Sequence, residues 1–62
     1  MGRAAILGRD YVHHRTEDTY RVVKLFPIKI DGRWVSAVLY EGHDGKIWGR
    51  PEDDFIKKFT LK

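Results

Sequence analysis

Two Asp-Gly pairs, Asp31-Gly32 and Asp44-Gly45, constrain this chain more than any other feature of it. A two-residue hairpin of type I′ needs positive φ at both central positions, and Asp-Gly is among the few pairs that accept this without strain. Each pair is flanked by runs rich in β-branched and aromatic residues: Tyr20–Ile30 before the first, Trp34–Tyr40 between the two, and Ile47–Arg50 after the second. Consecutive hairpins separated by so few residues predict a small antiparallel meander.

The first pair also predicts a register. If Ile30 stands opposite Arg33, then Ile28 faces Val35 and Phe26 faces Ala37. Phe26, Ile28, Ile30, Val35, Ala37 and Leu39 then share one face of the ribbon, and Val23, Leu25, Val38 and Tyr40 share the other. The alternation slips at Val22-Val23, which predicts either cover on both faces or a β-bulge. Pro27 donates no hydrogen bond to a ladder and belongs at an edge or a bend. Upstream, Tyr11–His14 predicts a first strand, and the polar Arg15–Thr19 run a loop. Residues 1–10 read as an N-terminal arm whose Ile6 and Leu7 pack on the body of the fold.

After Arg50 the chain changes character. Pro51 suits the start of a helical turn, and Glu52, Asp53 and Asp54 favour its positive end. Phe55 and Phe59 lie on one side in either a helix or a strand. A 3₁₀ turn at 51–54 followed by a last strand at 55–60 is the expectation; a helix from Pro51 to Phe59 is the alternative. The whole reads as an all-β chain: a five-stranded, SH3-like, partly open barrel over residues 11–62, with the 3₁₀ turn before its last strand.

Composition limits what so short a chain can do. With 62 residues, it buries only about 60% of the surface its unfolded form exposes. Little room is left for a pocket beside a core, and no catalytic role is expected. Cysteine is absent, which removes disulfides and thiolate metal sites and favours a reducing cytoplasm. No apolar run approaches the ~20 residues of a membrane span. The patch at Ala4–Leu7 is too short for a secretory leader, and the residues after Gly2 do not fit an acylation pattern.

The net charge is +3. Residues 1–34 carry seven Lys and Arg against four Asp and Glu, whereas residues 35–62 carry five of each. A nucleic-acid surface is permitted by this balance without being required. His13 and His14, adjacent on a strand, point to opposite faces, so with His43 they make no metal site, and no cofactor is expected. Ser36, the single serine, has no base beside it to make it a nucleophile.

Trp48 and Arg50, two apart on a strand, share a face. Arg50 either lies over an aromatic ring or braces the fold against an acid such as Glu41 or Asp54. Trp34, beside Arg33 at the end of a hairpin, is the aromatic expected to be exposed. The candidate binding surface is therefore Trp34, Trp48, Arg50, Arg33 and Tyr40. Its expected occupant is a protein partner, with nucleic acid as the second choice. The chain itself is expected to be a monomer or a weak homodimer.

The run Trp48-Gly49-Arg50-Pro51-Glu52-Asp53-Asp54-Phe55 resembles the Trp-x-Arg-Pro-x-x-x-Phe signature of the family catalogued as domain of unknown function 1653, small bacterial and phage proteins. Tyr11-Val12-His13, Tyr20-Arg21-Val22 and Val35–Tyr40 resemble its opening, its second strand and its central strand. Thr16-Glu17-Asp18 departs from the family's usual Lys-Gly before the second tyrosine. The resemblance, over residues 11–59, implies a compact β fold of bacterial or phage origin and no activity.

Overall fold

The computed structural model describes residues 4–62. Five antiparallel strands form one sheet in the order β4-β3-β2-β1-β5: β1 is Asp10–His13, β2 Thr19–Ile30, β3 Arg33–Gly42, β4 Ile47–Pro51 and β5 Phe59–Leu61. One helix, α1 (Glu52–Lys58), separates β4 from β5. The fold is all-β in its sheet, and that sheet is not closed into a barrel, because β4 and β5 remain its two edges.

The Asp31-Gly32 turn sets the long ribbon as expected. Both residues have positive φ, 49° and 76°, and Ile30 stands opposite Arg33, Ile28 opposite Val35 and Phe26 opposite Ala37. A bulge between Val22 and Lys24 then shifts the register. Its consequence is that Val22, rather than Val23, faces Tyr40 and is fully buried, whereas Val23 is exposed. The arm reinforces this point: Gly8 N–H donates to the Val22 carbonyl at 2.8 Å, and Val22 N–H donates to that of Arg9 at 3.1 Å.

Pro27 lies inside β2, opposite Ser36. β1 pairs with β2 only at residues 19–21, so at Pro27 the other side of β2 has no ladder for its missing N–H to break. The second turn is wider than a two-residue loop. Gly45 N–H donates to the Gly42 carbonyl at 3.1 Å, and Gly45, but not Asp44, has positive φ.

Two local expectations are corrected. The segment after Pro51 is an α-helix, not a 3₁₀ turn leading into a strand from residue 55; β5 begins only at Phe59. Glu52, Asp53 and Asp54 occupy the first turn and Lys57 and Lys58 the last, so charge at both ends complements the helix dipole. Phe59 N–H, donated to the Phe55 carbonyl, closes the helix, and the two rings stack at 4.2 Å. In the arm, Ala5 packs into the core, while Ile6 and Leu7 are exposed. The Ala5 N–H is held by Glu52 Oε2 at 2.8 Å. Residues 1–3 of the expected arm lie outside the described residues.

The core sits at one end of the sheet. Tyr11, Val22, Val38, Tyr40, Phe55 and Phe59 form it, with Ala5 as a plug and Tyr20 at its margin. Apart from the stacked Phe55–Phe59 pair, its rings meet edge-on or tilted, as in Tyr11–Phe55 at 5.1 Å and Tyr20–Tyr40 at 5.3 Å. Gly42 leaves room for this packing: a Cβ there would sit 3.1 Å from the Tyr20 ring and would press it aside. Among residues 23–36, by contrast, none is buried.

Candidate binding site

The residues singled out from the sequence do not form one surface. Tyr40 is buried, and its hydroxyl accepts from Arg50 Nε at 2.7 Å. Arg50 Nη1 donates to Asp54 Oδ2 at 2.6 Å, and Lys58 Nζ reaches the other oxygen of Asp54 at 3.2 Å. Arg50 therefore braces β3, β4 and α1 together. The Asp54 hydrogen bond, with that of Tyr40, holds the guanidinium in its charged form, and the same contact lowers the Asp54 carboxyl below its ordinary value. The Arg50 cation also stands over the Phe59 ring, 5.9 Å from its centroid.

Trp48 is half-exposed on β4, opposite Tyr40. Trp34 shares that sheet face and is 68% exposed, but it lies six residues along β3 from Tyr40, about 20 Å at ~3.3 Å per residue. Lys29 Nζ stands 5.8 Å from the Trp34 ring. Arg33, adjacent to Trp34 on the strand, projects from the opposite face. The structure thus brings Trp48, Arg50 and Tyr40 together at the packed end and leaves Trp34 and Arg33 at the far end.

The packed end also gathers residues that local spacing does not connect. A cleft of about 210 Å³ opens beside Trp48 and Arg50, with Tyr20, Tyr40 and Phe59 behind and His13 and Thr16 on its far wall. A wider cleft of about 570 Å³ shares His13, Thr16 and Arg50 with it and is otherwise lined by His14, Arg15, Lys57 and Lys58. The shared wall is well fixed. His13 N–H donates to the Asp18 carbonyl at 2.9 Å, Glu17 N–H donates to that of His13 at 2.8 Å, and His14 N–H donates to that of Lys58 at 2.9 Å. The Thr16 N–H approaches His13 Nδ1 at 3.3 Å. Burial, reinforced by the charges of Arg50, His14, Arg15 and Lys58, lowers the His13 imidazole below the ordinary histidine value.

This cluster was out of reach of a reading by spacing. Residues 13–16 and 57–58 meet only because β5 pairs with β1, His13 opposite Phe59. The signal that could have found it is the helix after Pro51, which carries Lys57 and Lys58 round to the end of β1. Among the described residues no group of three or more His, Asp or Glu side chains is placed to hold a metal ion, and no helix is long and apolar enough to cross a membrane. No family model, curated protein or solved structure matches this chain.

Proposed function

We propose that this chain is a non-enzymatic protein-interaction module of the cytoplasm that docks through the far half of its β2–β3 ribbon. One observation carries the reading. Val23, Leu25, Phe26, Ile28, Ile30, Trp34 and Val35 all lie between residues 23 and 36, where no side chain is buried. Phe26, Ile28, Ile30 and Val35 share one face of the ribbon, and Leu25 and Trp34 the other; apolar side chains so concentrated on one hairpin mark an interaction site rather than ordinary scatter. Trp34 supplies a large ring of the kind that anchors interfaces.

The docking is by side chains rather than by strand addition. Pro27 interrupts the row of donors on the open side of β2, and Lys24 and Lys29 flank it, devices that discourage edge pairing. Affinity capture from the native host tests the reading, comparing the unaltered chain with Ile28→Ser/Trp34→Ser and with Lys46→Ala at the opposite end of the sheet. A partner taken up by the unaltered chain and by Lys46→Ala, and lost from the ribbon variant, is the expected result. Capture of that same partner by Ile28→Ser/Trp34→Ser overturns the proposal.

A further inference from the structure

The packed end carries a second feature, independent of the ribbon. Its two clefts differ in chemistry and share a wall. The narrower is aromatic, with Trp48 half-exposed at its mouth and Tyr20 beside it. The wider is cationic: Arg15, Arg50, Lys57 and Lys58 line it and no carboxylate does. Asp54 compensates from behind by engaging Arg50 and Lys58. Among the described residues Arg15 and Lys57 make no ion pair, and both are exposed.

We infer that this double cleft binds nucleoside 5′-phosphate groups, the phosphate among Arg15, Lys57 and Lys58 and the base against Trp48. A cationic groove beside an aromatic side chain on which a base can stack is how sequence-tolerant nucleic-acid sites are built. The common wall supplies a neutral donor. The Thr16 N–H directed at His13 Nδ1 makes that nitrogen the acceptor, which places the ring proton on Nε2. The Thr16 hydroxyl stands 3.4 Å from the same nitrogen and accepts the Asp18 N–H at 3.3 Å. The cations facing His13 come from separate elements: Arg50 from β4, His14 and Arg15 from the loop after β1, and Lys58 from α1. A bound dianion reverses their combined effect and raises the imidazole. The occupant is either a free mononucleotide or one unit of a single strand, since both present the same group.

Nuclear magnetic resonance titration of the intact chain separates these cases. The probes are inorganic phosphate, a nucleoside, its 5′-monophosphate and a single strand of about ten nucleotides. Expected are shifts of the Trp48 indole N–H and of the Thr16 and Lys57 amides, a still Trp34 indole, and a rise in the His13 titration midpoint. The monophosphate is expected to bind at least about tenfold more tightly than phosphate or nucleoside alone, as joined contacts reinforce one another. Arg15→Glu/Lys57→Glu is expected to lose about tenfold or more in affinity and to flatten the salt dependence of strand binding by roughly 0.7 per cation removed. Arg15→Gln/Lys57→Gln is expected to do the same in smaller measure. A strand tighter than the monophosphate identifies nucleic acid as the source; equal affinity identifies the free nucleotide. Shifts centred on Trp34, a monophosphate no tighter than phosphate, or affinity indifferent to both double variants would each overturn the inference.

Discussion

The two halves of the β2–β3 ribbon are made of similar residues and have opposite fates. Near Val22, Val38 and Tyr40 the ribbon is covered by α1, the arm and the start of β5, and its side chains are buried. Six to eight residues further along β2, Ile28 and Ile30, with Trp34 and Val35 beside them on β3, have the same apolar character and none is buried. The difference is not propensity or pairing, because the ladder runs unbroken from Lys24 opposite Leu39 to Ile30 opposite Arg33. It lies in what packs on the sheet. In so small a chain one helix and one arm cover only one end, so stability and recognition separate along a single strand pair.

The largest test of that separation is Phe55→Ala. Phe55 is fully buried and touches Tyr11, Tyr40 and Phe59. Removing it should cost about 3–5 kcal/mol, which for a domain this small leaves little folded chain at 25 °C. Loss of the cooperative transition in thermal circular dichroism is the expected readout. A near-native melt would mean that the packed end is not where stability resides.

Tyr40→Phe should have the next largest effect. It deletes the acceptor of Arg50 Nε while keeping the ring. Hydrogen bonds to charged groups contribute about 1.5–3 kcal/mol, and the lower figure is expected because the Arg50 side chain remains 31% exposed. Urea titration measures it. A double-mutant cycle with Asp54→Asn should show coupling, since both partners position the same guanidinium.

Much of this organisation was legible in the residues. Asp31-Gly32 set the ribbon register pair by pair, and Pro27 marked a free edge. The slip at Val22-Val23 allowed either cover on both faces or a bulge, and the bulge is what forms; the arm, whose backbone bonds hold Val22, accompanies the burial of that valine. The helix was less legible, because Phe55 and Phe59 fall on one side in either conformation, and only their stacking and the Lys57-Lys58 end distinguish the two. Within the Trp-Gly-Arg-Pro run, Arg50 and Pro51 prove to be architecture. Arg50 ties Tyr40 to Asp54, and Pro51 precedes α1. Gly49 answers no close contact, since the nearest atoms to a Cβ there lie at 3.9 Å. The cationic cleft was illegible for a different reason: it depends on the β1–β5 pairing, which no local pattern encodes.

Acid should weaken the packed end by a smaller margin. The Asp54 carboxyl is lowered in the folded chain by Arg50 and Lys58, so its contribution is complete above the unfolded carboxylate value and is lost as pH falls through the lowered one. His13 is lowered too, by burial first. Its neutral ring favours the fold above the ordinary histidine value of about 6.5, and that part is lost as pH falls from there through the lowered folded value. Melting temperature should therefore decline in two stages, and His13→Gln should remove the earlier one. A single decline confined to the carboxylate range in both proteins would remove His13 from the account.

The smallest expected effect sharpens the comparison most. Trp34→Ala deletes the most exposed tryptophan, 68% accessible, with the Lys29 cation 5.8 Å from its ring centroid. Surface substitutions away from packed features stay within about 0.5 kcal/mol. Urea midpoint and slope should thus match the unaltered chain, in contrast with Phe55→Ala, although tryptophan is the larger residue. A loss comparable to Tyr40→Phe would mean that the ribbon end is packed in solution, with a second copy as its cover. Sedimentation at increasing concentration would then show association in the unaltered chain and none in Trp34→Ala. Unchanged stability with loss of partner capture places Trp34 wholly on the recognition side of the ribbon.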